Sequence, residues 1–153
     1  MKLKMKLLLL TFAILSTFIA ASMAAVPDLT AGGVAPAGMI TFNMGPTGAR
    51  GWAYRESYDT SKSRQILITK VDSGSPAAGI LAVDDVILGV DGTGANPSLF
   101  SSDARKALAL AIADAEANDP ATLKLLRWRG GSTTTVTLTL RTMGAYSATA
   151  PYD

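Results

Sequence analysis

The chain contains no histidine and no cysteine. These absences remove Ser-His-Asp and Cys-His nucleophile arrangements, zinc sites built on imidazole and thiolate, and redox dithiols. No disulfide can form, so a fold must rest on buried apolar area. Excess charge is missing too. Fourteen basic face twelve acidic side chains, and three of the basic ones are Lys2, Lys4 and Lys6 at the N-terminus. Without those three the balance is eleven to twelve, a net charge of −1. That is not the basic footprint of a nucleic-acid binder, and nucleic acid is not an expected partner.

Carboxylates are the remaining candidate ligands, and their spacing is unsuited to a metal. A calcium loop begun at Asp91 would put Thr93 and Ala95 at its third and fifth positions, and Ser102 where a bidentate glutamate belongs. Asp84, Asp85 and Asp91 read instead as turn and strand-end residues bonding local amides. The glycine-rich stretch GPTGARG, 45–51, lacks the Gly-Lys-Ser/Thr ending of a phosphate loop and is not G-x-G-x-x-G. Serine and lysine are present, yet no local pattern singles out a Ser–Lys pair. No catalytic residue, metal or cofactor is expected, and the chain reads as a non-enzyme.

The positive start, the apolar run Leu7 to Ala21 and the small residues Ser22-Met23-Ala24 form the pattern of a secretory signal peptide, 1–24. The run is shorter than the roughly 20 apolar residues a membrane span needs. An exported protein, periplasmic or secreted, with no stable membrane insertion after cleavage is expected. The 129 residues left suffice for one domain.

Residues 25–38 (AVPDLTAGGVAPAG) read as an extended linker. A weak strand over 39–44, the glycine-rich loop, a strand at Trp52-Ala53-Tyr54 and a polar loop over 56–64 follow. Gln65 to Val71 is a strand. Ser102 or Asp103 caps a helix from Ala104 to about Asn118, with Pro120 just beyond it. Thr122 to Trp128 and Thr133 to Arg141, joined at Gly130-Gly131, read as a hairpin. The last twelve residues, 142–153, fit no element and are either a tail or the start of a further domain; Tyr146 and Tyr152 favour the domain.

The most informative stretch is 73–92, SGSPAAGILAVDDVILGVDG. Pro76 is placed to open a one-turn helix. Turns, an acidic pair and the buried-strand pattern Val86-Ile87-Leu88-Gly89-Val90 follow, closed by Asp91-Gly92. This order resembles the middle of PDZ domains, the peptide-binding modules, in which SPA-x-x-aGL-x-x-GD-x-I-x-x-V-x-G occurs. Asp84 stands where glycine is usual, and Ile80-Leu81 where Gly-Leu is common. The likeness covers about 39–141 and extends to PDZ-like modules of exported bacterial proteases, although this chain has no room for the protease domain.

The resemblance implies an α+β fold: a small, partly open β-barrel or sandwich of five to six strands capped by one short and one long helix. It implies a function as a non-catalytic module binding extended peptides or protein C-termini by strand addition. By resemblance the carboxylate-binding loop is Ala49, Arg50, Gly51 and Trp52, with the amides of the last three cradling the carboxylate. The peptide groove would be Ala53 and Tyr54 on one side and Arg105, Ala109 and Ile112 on the other. Their four- and three-residue spacing puts the last three on one helix face. Leu108, Ala111 and Ala115 would then face the core. Two other roles fit the same residues: a scaffolding domain packed on a further domain, or a regulatory piece of a larger exported hydrolase.

Overall fold

The computed structural model describes residues 25–141. Residues 1–24 and 142–153 lie outside the described residues, and with them the expectations about a cleaved signal and a further domain. The elements in chain order are β1 (Phe42–Asn43), β2 (Ala49–Ala53), β3 (Ile66–Val71), β4 (Val86–Asp91), β5 (Ser98–Leu99), α1 (Ala104–Glu116), β6 (Thr122–Arg129) and β7 (Ser132–Thr139). A three-residue 3-10 turn, Gly45–Thr47, joins β1 to β2. The protein is α+β, with one α-helix among the described residues and one open antiparallel sheet of seven strands. The sheet runs β1-β2-β3-β4-β6-β7, and β5 adds to β4. No helix among the described residues is long and apolar enough to cross a membrane.

Local chemistry accounts for the best-defined elements. Asp103 caps α1, its carboxylate accepting from the amides of Arg105 and Lys106 at 3.0 and 3.3 Å, which satisfies donors the helix cannot. The β6–β7 hairpin closes through Gly130 and Gly131 at φ 55° and 88°, the two positive values that a tight two-residue turn requires. Gly92 lies so close to α1 that a Cβ there would stand 1.9 Å from the Ala111 carbonyl oxygen. The helix therefore packs directly on the backbone at the end of β4.

The sheet has a buried stripe on each face. Under α1 the core gathers Met44, Ile66, Ile68, Ile87, Leu108, Ile112, Leu123, Leu125 and Leu138. On the other face Leu29, Trp52 and Val86 form a smaller cluster, with Met39, Tyr54, Leu67 and Trp128 packed against it. Strand alternation produces this division. Ala49 and Ala53 of β2 belong to the helix side, whereas Trp52 belongs to the other.

Three expectations differ from this architecture. The sheet is open and has seven strands, where a partly open barrel or sandwich of five to six was expected. The one-turn helix at Pro76 is instead a series of turns: Ala78 and Ile80 donate to Ser75 and Ala77, and only the Leu81 amide reaches back four residues, to Ala77. Gly79, at φ 78°, ends any helical run within three residues of Pro76, and the Ala77 amide, which a helix begun at Pro76 would leave unpartnered, donates to Thr47 at 3.0 Å. Finally, segment 25–38 is docked on the sheet. The Leu29 amide donates to the Gln65 side chain at 2.7 Å, and that side chain donates to Asp28 at 2.8 Å. The Gln65 bond, and after it those from the Thr30 hydroxyl and amide, hold the Asp28 carboxyl below its ordinary value.

An ion pair ties the hairpin to the acidic pair of the 73–92 stretch. Asp85, 1% exposed, accepts from Arg129 at 2.5 and 2.7 Å and from the Ala82 amide at 2.8 Å. Its hydrogen bonding raises the Arg129 pKa above the usual arginine value. Asp84, where the PDZ pattern it resembles has glycine, has φ 72°. This is a left-handed conformation that glycine adopts freely and aspartate tolerates.

Candidate functional site

The groove was expected between β2 and α1. Arg105, Ala109 and Ile112 come together on one side of a narrow space, with Leu108 beside them. Leu108, Ala111 and Ala115 are buried. Ile112 is buried as well, at 3% exposure, so it serves the core while facing this space. The start of α1 is held by the 56–65 loop: Thr60 donates to Asp103 at 2.5 Å, and the Ala104 amide donates to Ser63. That clamp sets the position of Arg105.

The opposite wall of the space is Phe42, Asn43 and Met44. Phe42 pairs with Gly51 and Asn43 with Arg50 in an antiparallel ladder, and the Met44 amide donates to Ala49 at 3.0 Å. The chain's own β1 thus occupies the strand-addition edge of β2. The Arg105 guanidinium lies 4.8 Å from the centre of the Phe42 ring, a cation–π geometry. Only about 10 Å³ of space remains between the walls.

The four residues expected as a loop are part of β2. In an antiparallel strand each residue's N–H and C=O share one edge, and successive residues alternate edges. The Met44–Ala49 bond places Ala49, Gly51 and Ala53 toward β1. Arg50 faces β3, where its carbonyl accepts from Thr69 at 3.2 Å. The amides of Arg50, Gly51 and Trp52 therefore diverge, and the one directed to the cleft side, Gly51, stands opposite Phe42. The turn before them is internally bonded. Gly45 donates to the Asn43 side chain, Gly48 to Gly45 and Ala49 to the Thr47 hydroxyl. Arg50 itself donates to the Thr41 hydroxyl and carbonyl at 3.3 and 3.2 Å.

Trp52 and Tyr54 stand on the face away from α1. Trp52 is 3% exposed, the core role usual for a large aromatic. Both border a second, mostly apolar cavity of about 590 Å³ between segment 25–40 and the end of β2, with Val34, Met39, Ile40 and Arg55 around it. Sequence reasoning missed this cavity. The signal available was the recurrence of Val34, Met39 and Ile40 in a segment otherwise built of small residues, and it carries no helical or strand period.

No protein-family model and no curated protein matches this chain.

Proposed function

We propose that the protein is a non-catalytic, PDZ-like interaction module that holds an extended segment by strand addition between β2 and α1, and that its leader directs it to export. The observation that supports this reading is the placement of β1. An extended segment lies antiparallel along β2 and runs toward the Gly45–Gly48 turn, as the C-terminal end of a bound peptide would, with its aromatic side chain beside the helical Arg105. The cleft has the chemistry for such a segment: ladder groups on one side, and small and apolar side chains with one cation on the other. A partner peptide or protein C-terminus entering from outside must displace Phe42, and Arg105 would then favour an acidic residue two positions before its C-terminus.

A second reading rests on the depth of the occupant. Phe42 and Met44 are 5% and 0% exposed, as core residues are, so the module would be a scaffold whose cleft is permanently filled by its own strand. Calorimetric titration separates the two. C-terminal peptides carrying Asp or Lys at that position are added to the wild type and to Phe42→Val, which loosens the occupant while keeping a strand-favouring side chain. Under the peptide reading, Phe42→Val binds the Asp peptide about tenfold more tightly than the wild type does, and more tightly than it binds the Lys peptide. No binding by either protein at ~100 μM, a weak affinity for peptide recognition, overturns the peptide reading in favour of the closed scaffold.

A further inference from the structure

The sheet has a second edge, at β7, that no described strand covers. β7 pairs with β6 along its whole length, from Arg129 opposite Ser132 to Thr122 opposite Thr139. No described strand pairs with its other side. The ladder register identifies which groups are left over. The two-residue turn makes Arg129 and Ser132 a hydrogen-bonded pair, and the Leu140 amide donates to Ala121 at 2.8 Å, so even-numbered residues of β7 bond inward. By alternation Thr133, Thr135, Thr137 and Thr139 direct their N–H and C=O groups outward.

Natural edge strands are usually blunted by charge, proline, a bulge or shortness. β7 has none of these devices. Its eight residues, STTTVTLT, carry no charge and no proline, and the pairing with β6 has no register shift. All but Val136 and Leu138 are exposed. Such an edge can accept a strand, and the strand it fits best is itself. About a two-fold axis at Val136, antiparallel pairing puts Thr133 opposite the second copy's Thr139 and Thr135 opposite its Thr137. All four outward threonines on each copy then enter hydrogen-bonded pairs. Threonine–threonine pairs across strands are favourable. Val136, half-buried, meets its own copy on the axis. No charged side chain opposes another across the paired residues. This closed, self-complementary arrangement is the geometry of a two-fold dimer.

We propose that β7 is a dimerisation edge, joining two copies of this chain into one continuous antiparallel sheet. The interface is independent of the β2–α1 cleft and stands whether or not that cleft binds peptide. Sedimentation velocity of the full chain from ~1 μM to ~500 μM should show a monomer–dimer equilibrium within that range. Thr135→Pro removes one outward donor and leaves the bonds of Thr134 and Val136 to β6 in place. Thr135→Lys adds the charge that edge strands commonly carry. Each should weaken the dimer by about tenfold or more. Val83→Lys, at an exposed turn residue, should not. Amide exchange supplies a reading that another dimer surface would not reproduce: the amides of Thr133, Thr135, Thr137 and Thr139 should slow as concentration rises, while those of Thr134, Val136 and Leu138 stay slow throughout. A monomer at every concentration, a dimer indifferent to both Thr135 variants, or outward amides that ignore concentration would each overturn the proposal.

Discussion

The two edges of the sheet solve the same problem in opposite ways. At one edge a strand of two residues, β1, covers β2 and sinks Phe42 into the core beside α1, with Met44 following it. At the other, eight residues of β7 leave their outward backbone groups without a described strand. The short strand is held by side-chain burial, the long one by its ladder to β6. Closure of an edge thus depends less on the length of the covering strand than on what its side chains reach. The contrast also assigns different roles: the covered edge contributes to stability, and the open edge is available for association.

Substitutions at the two edges should separate these roles. The largest loss is expected for Met44→Ala, which empties a fully buried site at the covered edge and should destabilise the fold by about 3 kcal/mol in urea unfolding. Arg129→Ala should come next. It strands the buried Asp85 carboxylate at the point where the hairpin joins β4. Because the arginine side chain is 47% exposed, the loss should be about 2 kcal/mol, discounted from the figure for a fully buried pair. Thr135→Ala, at the open edge, should change monomer stability by less than about 1 kcal/mol when measured at dilution. If it cost as much as Met44→Ala, the open edge would be structural after all.

The smallest effect concerns acid. The Asp28 carboxyl is held below its ordinary value by Gln65 and Thr30, so its contribution is present above the usual aspartate pKa of about 4. It is lost as pH falls through the lowered native value. The Leu29 amide should therefore exchange faster on acidification, relative to the intrinsic rate at each pH, while the Ile68 amide in the central sheet keeps its protection. A Leu29 amide unaffected by acid would show that the segment is held by apolar contact alone.

The elements visible in the sequence are those whose causes are local. The helix follows from its Asp103 cap and Ala/Leu-rich run, and the hairpin from two glycines between β-patterned runs. Asp84 was legible as a departure from a glycine pattern, and its positive φ supplies the physical meaning of that pattern. The covered edge was not legible. Two residues cannot display a period, and the side chain that packs against Phe42 lies sixty-three positions away, at Arg105. The docking of 25–38 was hidden for the same reason, since Leu29 depends on Gln65, thirty-six residues later. At Pro76 the local signal was present but is cut short by Gly79, whose φ of 78° ends a helix after one turn. The spacing of Arg105, Ala109 and Ile112 was legible as one helix face, and all three border one narrow space, but nothing in the sequence showed that Phe42 and Met44 would stand across it.

The second face of the sheet carries a practical consequence. The chain has two tryptophans, Trp52 and Trp128, and both belong to the cluster that segment 25–40 helps to cover, whereas neither belongs to the core beneath α1. Intrinsic fluorescence is therefore a one-sided probe of this molecule. A red shift in emission reports water reaching the face away from the helix, and the helix side can be followed through the far-ultraviolet signal of α1.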